Sequence, residues 1–161
     1  MADLKHEIMY KDNSILEAQK FEVGTIPAIS LNPVLSAVVS MEDYHKAMAE
    51  LLSKIDCDFD CIVALKRSGW IMGAFFSNQT GKPVFTPSEI KSLPSKYKSV
   101  LIVDDKICKG KALRKVENKL RAKEKITHSA CLYVEGFVFP DYHSQFLNGR
   151  IVRMWYEHHY G

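Results

Sequence analysis

Four consecutive aliphatic residues, Val100–Val103, run directly into two acids, Asp104 and Asp105. A continuous aliphatic run of this kind is typical of a strand buried on both faces, as in a parallel sheet covered by helices. Gly110 follows five positions after the second acid, and Lys111–Lys125 then repeats apolar residues at helical spacing. The segment therefore predicts a buried strand that ends at the two acids, a loop that contains a glycine, and a helix.

The rest of the chain repeats this alternation of strands and helices. Ser40 can cap a helix that starts at Met41, because its hydroxyl and the acid Asp43 satisfy backbone donors. A short apolar run at Cys61–Leu65 predicts a strand, and Trp70–Phe76 predicts a helix. Strands that alternate with helices indicate an α/β fold with a parallel sheet flanked by helices. Further strands are predicted at residues 83–85, 129–134 and 151–155.

Length and composition indicate one compact domain over residues 1–161. The chain is 47% apolar and 11% aromatic, which is enough for a sizeable core. The net charge of +3 suits a phosphate-bearing small ligand as well as a polyanion. The sequence shows no apolar run of signal-peptide or membrane-spanning length, so we expect a cytoplasmic protein. The four cysteines show no zinc-like spacing and are predicted to be free, buried thiols: Cys57, Cys61, Cys108 and Cys131.

Two loops are candidates for chemistry, because ligands bind beyond the carboxyl ends of parallel strands. The loop at Lys66–Gly69 offers two cations, a hydroxyl and a glycine, which suits an anion site or an exposed basic turn equally well. In the second loop, Asp104 and Asp105 can accept hydrogen bonds from the two hydroxyls of a ribose, and the loop around Gly110 can wrap a phosphate. The alternative for the second loop is a solvated acidic turn followed by a basic helix face.

The segment VLIVDDKICKGKAL at Val100–Leu113 resembles the phosphoribosyl pyrophosphate signature of type I phosphoribosyltransferases, in which apolar residues and two acids precede a glycine-containing phosphate loop. CIVALKRSGW at Cys61–Trp70 resembles the pyrophosphate loop of that family. The resemblance covers Met41–Val134 and is nearest in layout to the purine and xanthine branch. It implies a core at residues 37–135, a small hood from residues 1–36 and 136–161, and a mobile loop within Thr86–Lys98.

The resemblance also implies roles for individual residues. Asp104 and Asp105 would be catalytic and hold the ribose hydroxyls, directly or through Mg²⁺. The ligand would be phosphoribosyl pyrophosphate or a nucleoside monophosphate together with a nucleobase, and the expected assembly is a homodimer. The 5-phosphate would contact Cys108, Lys109, Gly110, Lys111 and Ala112; the pyrophosphate would contact Lys66, Arg67, Ser68 and Gly69; the base would stack on Phe137, Phe139, Tyr142, Trp155 or Tyr156.

The phosphate loop departs from the family pattern at three positions. Lys109 and Ala112 stand where most members carry hydroxyls that bind the phosphate, and Lys109 and Lys111 can compensate with charge. Cys108 stands where the purine branch places an acid that handles the ring proton of the base, and it is the third candidate catalytic residue. Three functions remain open: a transferase with an unusual acceptor, a nucleotide-binding regulator without turnover, and a related enzyme that uses the same site.

A basic run at residues 109–125 allows a function of a different class. Its eight cations could lie along nucleic-acid phosphates. A solvated helix face is the commoner explanation, because Glu117 and Glu124 are interspersed. The two readings differ in salt dependence, since binding through this helix would weaken steeply with ionic strength.

Overall fold

The computed structural model describes residues 28–29, 36–147 and 152–155. The chain divides into two compact units, Tyr44–Gly149 and a second unit that contains both ends of the chain, Met1–Asp43 with Arg150–Gly161. The unit of the chain ends holds a three-stranded sheet in the order β1-β2-β8. Its strands are β1 (Ala28–Ile29), β2 (Ser36–Val39) and β8 (Val152–Met154).

In this small sheet, β1 runs antiparallel to β2, and β2 runs parallel to β8. Residues from both ends of the chain therefore pair, as Ala37 does with Val152. The strand predicted at residues 151–155 is confirmed for 152–154. The role of this unit as a hood over a base stays a prediction.

The larger unit is built on a five-stranded sheet in the order β4-β3-β5-β6-β7, in which every neighbouring pair is parallel. This confirms the predicted parallel α/β sheet. The fifth strand lies within the segment assigned to the hood, yet it pairs with β6. The strands are β3 (Cys61–Ala64), β4 (Val84–Phe85), β5 (Ser99–Ile107), β6 (Ile126–Val134) and β7 (Tyr142–Phe146).

Three α-helices lie within the described residues; the first and third begin where the sequence predicts, at Met41 and Lys111, whereas the second begins at Lys66, four residues before the predicted Trp70. The predicted cap of the first is confirmed, since Ser40 Oγ accepts from the N–H of Asp43 at 3.0 Å and donates to its carboxylate at 2.6 Å. The third helix ends at Arg121, whereas the sequence predicted Lys125. The chain turns there, with φ of +57° at Glu124, because β6 begins only two residues later. The helices are α1 (Met41–Lys54), α2 (Lys66–Thr80) and α3 (Lys111–Arg121).

Two of these helices cover opposite faces of the central sheet. The predicted inward residues of α3, which are Leu113, Val116 and Leu120, are buried in one core cluster with Val100 and Ile102 of β5. Gly73 of α2 packs on the other face, where an added Cβ atom would lie 2.8 Å from Ala64 and 3.6 Å from Val103. Alternate residues of one strand face opposite sides, so this arrangement explains why the β5 run is apolar throughout.

The segment Thr86–Lys98, for which the resemblance implies a mobile loop, is anchored at several points. It contains a 3-10 helix, Glu89–Ser92, and Ile90 and Leu93 belong to the buried core. Two lysines that follow α3 also donate hydrogen bonds to backbone carbonyls of this segment. Lys123 Nζ donates to Lys91 O at 2.6 Å, and Lys125 Nζ donates to Pro94 O and Ser95 O at 3.4 and 3.3 Å. In this structure the apolar residues Ile90 and Leu93 hold the segment on the core, and its movement over a bound ligand stays a prediction.

No helix in the described part of the chain is long and apolar enough to span a membrane.

Candidate functional site

The two adjacent acids lie inside β5, because the strand continues to Ile107 and does not end at Asp104 as predicted. Both side chains are only 2% exposed. Oδ1 of Asp104 accepts a hydrogen bond from the N–H of Asp105 at 3.1 Å. The structure therefore holds two carboxylates in the interior of the carboxyl-terminal half of the central strand.

The first turn of α2 packs directly against the first of these acids. A Cβ atom at Gly69 would lie 3.2 Å from Asp104 Oδ1 and 3.0 Å from the carbonyl oxygen of Val103. The turn is further fixed by Leu65, whose N–H donates to Val103 O at 2.8 Å. The two loops singled out in the sequence therefore meet at Asp104, and Gly69 is needed for the close approach.

The predicted loop Lys66–Gly69 is already helical, since α2 begins at Lys66. Ser68 is half-buried and Gly69 is buried. The side chains of Lys66 and Arg67 lie outside the described part of the structure. A pyrophosphate contact at these residues stays a prediction, although their backbone belongs to the N-terminal turn of a helix, where N–H groups point outward without intrahelical partners.

A pocket of about 410 Å³ lies at the end of β5, lined by Asp104 and by residues 106–113. Asp105 does not line it. Gly110 has φ of +63° and precedes α3, a conformation that a residue with a side chain rarely adopts. The helix N-terminus and three lysines, Lys106, Lys109 and Lys111, make the pocket electropositive apart from Asp104. All five residues predicted to contact a 5-phosphate line this pocket.

The segment after β6 supports the phosphate loop from behind. Val138 methyl carbons lie 2.6 and 2.8 Å from the place of a Cβ atom at Gly110, and Gly136 packs against the carbonyl of Cys108. Lys106 Nζ also approaches Glu135 Oε1 at 3.9 Å. The sequence alone did not predict these contacts. The available signal was the glycine that follows the predicted strand 129–134, since such a glycine often marks a close approach of two backbones.

The aromatic residues predicted to stack on a base differ in their exposure and in the unit of the chain to which they belong. Phe137 and Phe139 are 82% and 66% exposed, and Phe139 stacks on Phe146 with ring centroids 5.2 Å apart. Tyr142 is half-buried and donates its hydroxyl to Asp56 Oδ1 at 2.6 Å. Trp155 belongs to the unit of the chain ends, and Tyr156 lies outside the described residues. Base stacking by any of them stays a prediction.

The cysteines differ in exposure, which corrects the expectation that all four are buried. Cys61 and Cys131 are buried, Cys57 is intermediate and Cys108 is exposed at the pocket. Burial raises the pKa of Cys61 to about 11. Burial, with a smaller contribution from Asp104, raises the pKa of Cys131 well above its ordinary value. The two core thiols therefore stay protonated, and only Cys108 is presented to a ligand in the pocket.

The fold of this chain is similar to those of solved phosphoribosyltransferase structures. Xanthine-guanine-hypoxanthine phosphoribosyltransferase from Helicobacter pylori superimposes with a TM-score of 0.66 at 20% identity, over 76% of this chain and 93% of that one. Purine phosphoribosyltransferase from Pyrococcus horikoshii Ot3 gives 0.62 at 19% identity, over 74% and 93%. The chain has the type I phosphoribosyltransferase fold.

A third solved structure with this fold, a hypothetical protein from Neisseria gonorrhoeae with bound ppGpp, has a TM-score of 0.62 at 15% identity, over 76% of this chain and 89% of that one. No family model matches the sequence, and no curated protein matches it. The structural similarity establishes the phosphoribosyltransferase fold. Because the sequence identities are low, the activity has to be inferred from the residues of the site.

The donor set at the site of this phosphoribosyltransferase fold was tested for Mg²⁺. No group of three or more His, Cys, Asp or Glu residues in the described part of the chain could hold a metal ion. Mg²⁺ commonly uses one or two carboxylates together with substrate phosphates and water. Asp104 lines the pocket and fits that habit, so it suits an ion that arrives with a phosphorylated ligand, whereas Asp105 does not line the pocket; a contact of Asp105 with Mg²⁺ stays a prediction.

Proposed function

We propose that this protein binds phosphoribosyl pyrophosphate or a nucleoside monophosphate with Mg²⁺, and transfers phosphoribose to or from a nucleobase. The observation that carries the proposal is the pocket at the end of β5. It joins the buried carboxylate of Asp104 to an electropositive loop at the N-terminus of α3. A ligand that bears hydroxyls at one end and a phosphate at the other matches this order of groups.

In the proposed complex, the 5-phosphate lies in the loop Cys108–Ala112, where backbone N–H groups and two lysines neutralise its charge. The ribose hydroxyls donate to Asp104. The contact between Gly69 and Asp104 Oδ1 brings the first turn of α2 to the same carboxylate, which supports a pyrophosphate at Lys66–Gly69. In this proposal the phosphate, the ribose and the pyrophosphate lie at the loop 108–112, at Asp104 and at the first turn of α2, in that order.

The proposed reaction is a displacement at C1 of the ribose. A nitrogen of the base forms the bond to C1, the bond from C1 to the pyrophosphate oxygen breaks, and the pyrophosphate leaves with the electron pair. Bound Mg²⁺ would neutralise charge on the leaving group. The protein orients the ribose through Asp104 and holds the phosphate. As the bond to C1 forms, the ring proton of the base passes to an oxygen of the departing pyrophosphate or to water, and Cys108, exposed at the pocket, is the proposed group beside that proton.

A nucleotide-binding regulator without turnover is the second proposal. The phosphate loop has Lys109 and Ala112 where most family members carry hydroxyls, and the anchored segment Thr86–Lys98 differs from a loop that closes over pyrophosphate. The fold also occurs in the Neisseria protein with bound ppGpp, which makes a guanosine polyphosphate a specific ligand to test. Both proposals use the same pocket and differ in whether pyrophosphate is released.

Several contacts weaken the nucleic-acid alternative. Lys125 is 8% exposed and bonds backbone carbonyls, as Lys123 does. Arg114 donates to Lys109 O at 2.8 Å. These three cations have structural roles within the protein, so fewer remain for phosphates along α3. Binding to RNA or single-stranded DNA that falls steeply between 50 and 200 mM salt, on the order of a hundredfold or more, would restore this alternative.

The deciding experiment is a thermal-shift and calorimetric screen of the whole chain with Mg²⁺ and four ligands: phosphoribosyl pyrophosphate, ribose 5-phosphate, a set of nucleoside monophosphates, and ppGpp. A ligand that binds only the native state must raise the unfolding temperature. No response to any of them would remove the proposed function. Pyrophosphate release with a panel of nucleobases then separates transferase from regulator, and sedimentation with and without ligand tests the expected homodimer.

A further inference from the structure

Lys106 lines the pocket at the end of β5, yet the proposed contacts of the phosphate, the ribose and the pyrophosphate do not include it. Its Nζ lies 3.9 Å from Glu135 Oε1, and the two side chains are 25% and 11% exposed. An ion pair at this distance and exposure contributes little to folding. The pair therefore places an ammonium and a carboxylate at the ligand site for a reason other than stability.

The backbone fixes both members of this pair. Lys106 lies in β5 one residue before Ile107, whose carbonyl oxygen accepts a hydrogen bond from the N–H of Glu135 at 2.8 Å. On the other side of Glu135, the backbone of Gly136 packs against the carbonyl of Cys108. Glu135 is thus held beside the carboxyl end of β5, where its carboxylate restricts the position of the Lys106 ammonium.

The surroundings of the pair suit a nucleobase. The segment that begins at Glu135 also carries Phe137 and Phe139, which are 82% and 66% exposed. An exposed aromatic ring can pack on the face of a flat heterocycle, while an ammonium can donate to an acceptor at its edge. The phosphate and the ribose have their proposed contacts in the loop 108–112 and at Asp104, so the base is the part of the ligand that remains for Lys106.

The charges of the pair restrict which base fits. Glu135 offsets the charge of Lys106, so the pair presents N–H donors without a net positive charge. A neutral base can offer a carbonyl oxygen or a ring nitrogen to these donors. A base that carries a carboxylate would bring a second anion close to Glu135, and like charges at short range repel.

We propose that Lys106 donates a hydrogen bond to the nucleobase, that Glu135 is the positioning residue that holds this ammonium at the pocket, and that the pair selects neutral bases over bases that carry a carboxylate. The inference rests on the proposed function, since it names the class of base that the same pocket accepts. The pair contributes binding and orientation of the base toward C1 of the ribose, and no bond is made or broken at either side chain.

The first test separates the base from the rest of the ligand by calorimetry with Mg²⁺. Ribose 5-phosphate reports the phosphate and ribose contacts, and inosine, adenosine and uridine 5′-monophosphates add a neutral base. In Lys106→Met, the tightest of these nucleotides should lose about tenfold in affinity, the effect of a hydrogen bond from a charged donor, whereas ribose 5-phosphate should change by less than about twofold. Lys109→Met is the matched comparison: it should weaken ribose 5-phosphate and the nucleotide alike, because Lys109 lies in the phosphate loop.

The second test concerns selection and the role of Glu135. The wild type should bind orotidine 5′-monophosphate about tenfold more weakly than uridine 5′-monophosphate, which differs only in lacking the carboxylate. In Glu135→Gln this ratio should fall to about threefold or less, because the amide keeps the shape of the side chain and removes the repelling charge. In a Lys106→Met background, Glu135→Gln should change the affinity for the tightest neutral nucleotide by less than about twofold, since it acts on that affinity through Lys106.

Urea unfolding midpoints of both single variants should match that of the wild type, and if Lys106→Met does not fold, the ratio in Glu135→Gln decides alone. The inference is overturned if Lys106→Met binds the neutral nucleotide as the wild type does, if it weakens ribose 5-phosphate equally, or if Glu135→Gln leaves the ratio of the two pyrimidine nucleotides unchanged. If the wild type binds none of the ribose phosphates, the proposed function fails and the inference fails with it. If it binds ribose 5-phosphate and only these differences are missing, the inference alone fails.

Discussion

The backbone of Gly136 packs directly against the carbonyl group of Cys108, so closely that a Cβ atom at residue 136 would overlap the carbonyl oxygen. One residue earlier, the N–H of Glu135 donates to Ile107 O at 2.8 Å. Two residues later, Val138 fills the space beside Gly110. The segment that carries Phe137 and the loop that lines the pocket are therefore held together by backbone contacts, so a change in one displaces the other.

Gly136→Ala should displace the phosphate loop and weaken ligand binding. The added methyl group meets backbone, which cannot rotate away, so we expect a loss of about 1–3 kcal/mol in the free energy of unfolding. Urea unfolding and calorimetry with phosphoribosyl pyrophosphate measure the two effects. Gly81→Ala is the control: no atom lies within 4 Å of its Cβ position, although φ is +70°, so it should lose stability through strain and keep its affinity. Unchanged affinity in Gly136→Ala would contradict the supporting role of the contact.

Asp104→Asn should weaken binding of phosphoribosyl pyrophosphate with Mg²⁺ about tenfold to a hundredfold. The amide keeps the shape of the side chain but removes the charge that receives the ribose hydroxyls or an ion, and charged hydrogen bonds contribute about 1.5–3 kcal/mol. Calorimetry checks the expectation. The exposed Asp58 serves as the control. It precedes β3, at the amino-terminal ends of the strands and away from the pocket, so the Asp58→Asn variant should bind the ligand with the affinity of the wild type. Equal affinity in both variants would show that the ligand does not contact Asp104.

Lys125→Met should loosen the segment Thr86–Lys98 without disturbing the sheet. The substitution keeps the apolar stem and removes the Nζ donor that bonds the carbonyls of Pro94 and Ser95. Amide hydrogen exchange of residues 91–97 should accelerate about tenfold, which corresponds to the loss of about 1.4 kcal/mol of local stability. Lys119→Met, on the exposed side of α3, should leave the exchange rates unchanged. Slow exchange in both variants would show that Ile90 and Leu93 alone anchor the segment.

Asp60→Asn should lower stability at pH 7 and match the wild type at low pH. The backbone N–H groups of Ser99 and Lys98 donate to Asp60 Oδ2 at 2.9 and 2.7 Å and lower the pKa of this carboxyl group. A lowered folded-state pKa stabilises the protein above the unfolded value of about 3.9, and that contribution is lost as the pH falls through the folded value. Urea midpoints at pH 7 and at about pH 3 test the sign. An Asp60→Asn curve that runs parallel to that of the wild type at all pH values would refute the linkage.

Several predictions from the sequence are confirmed because they depend on local patterns. The apolar run Val100–Val103 is a strand buried on both faces, and the cap at Ser40 forms as expected. The helix after Gly110 begins at Lys111. In each case the pattern that selects the element lies within a few residues of it, and hydrogen bonds or burial within that stretch decide the outcome.

Other features depend on residues that are distant in the sequence. The segment Thr86–Lys98 looks polar enough for an open loop, yet Ile90, Leu93 and the lysines beyond α3 anchor it. The strand Tyr142–Phe146 shows no clean alternation and forms because β6 offers an open edge. The sequence also could not show that Asp104 and Asp105 have different surroundings, because only the folded chain packs Gly69 of α2 against Asp104 and leaves Asp105 outside the pocket.

By itself, the sequence determined the alternation of strands and helices, the acids at the end of an apolar run and the glycine before a helix, since spacing and residue type encode these directly. Only the tertiary structure decided which groups meet: Gly69 with Asp104, and Gly136 with Cys108. These contacts join residues that are 35 and 28 positions apart in the printed sequence, and each depends on a close approach of two backbones. Such proximity arises only when the sheet assembles and the helices close over it.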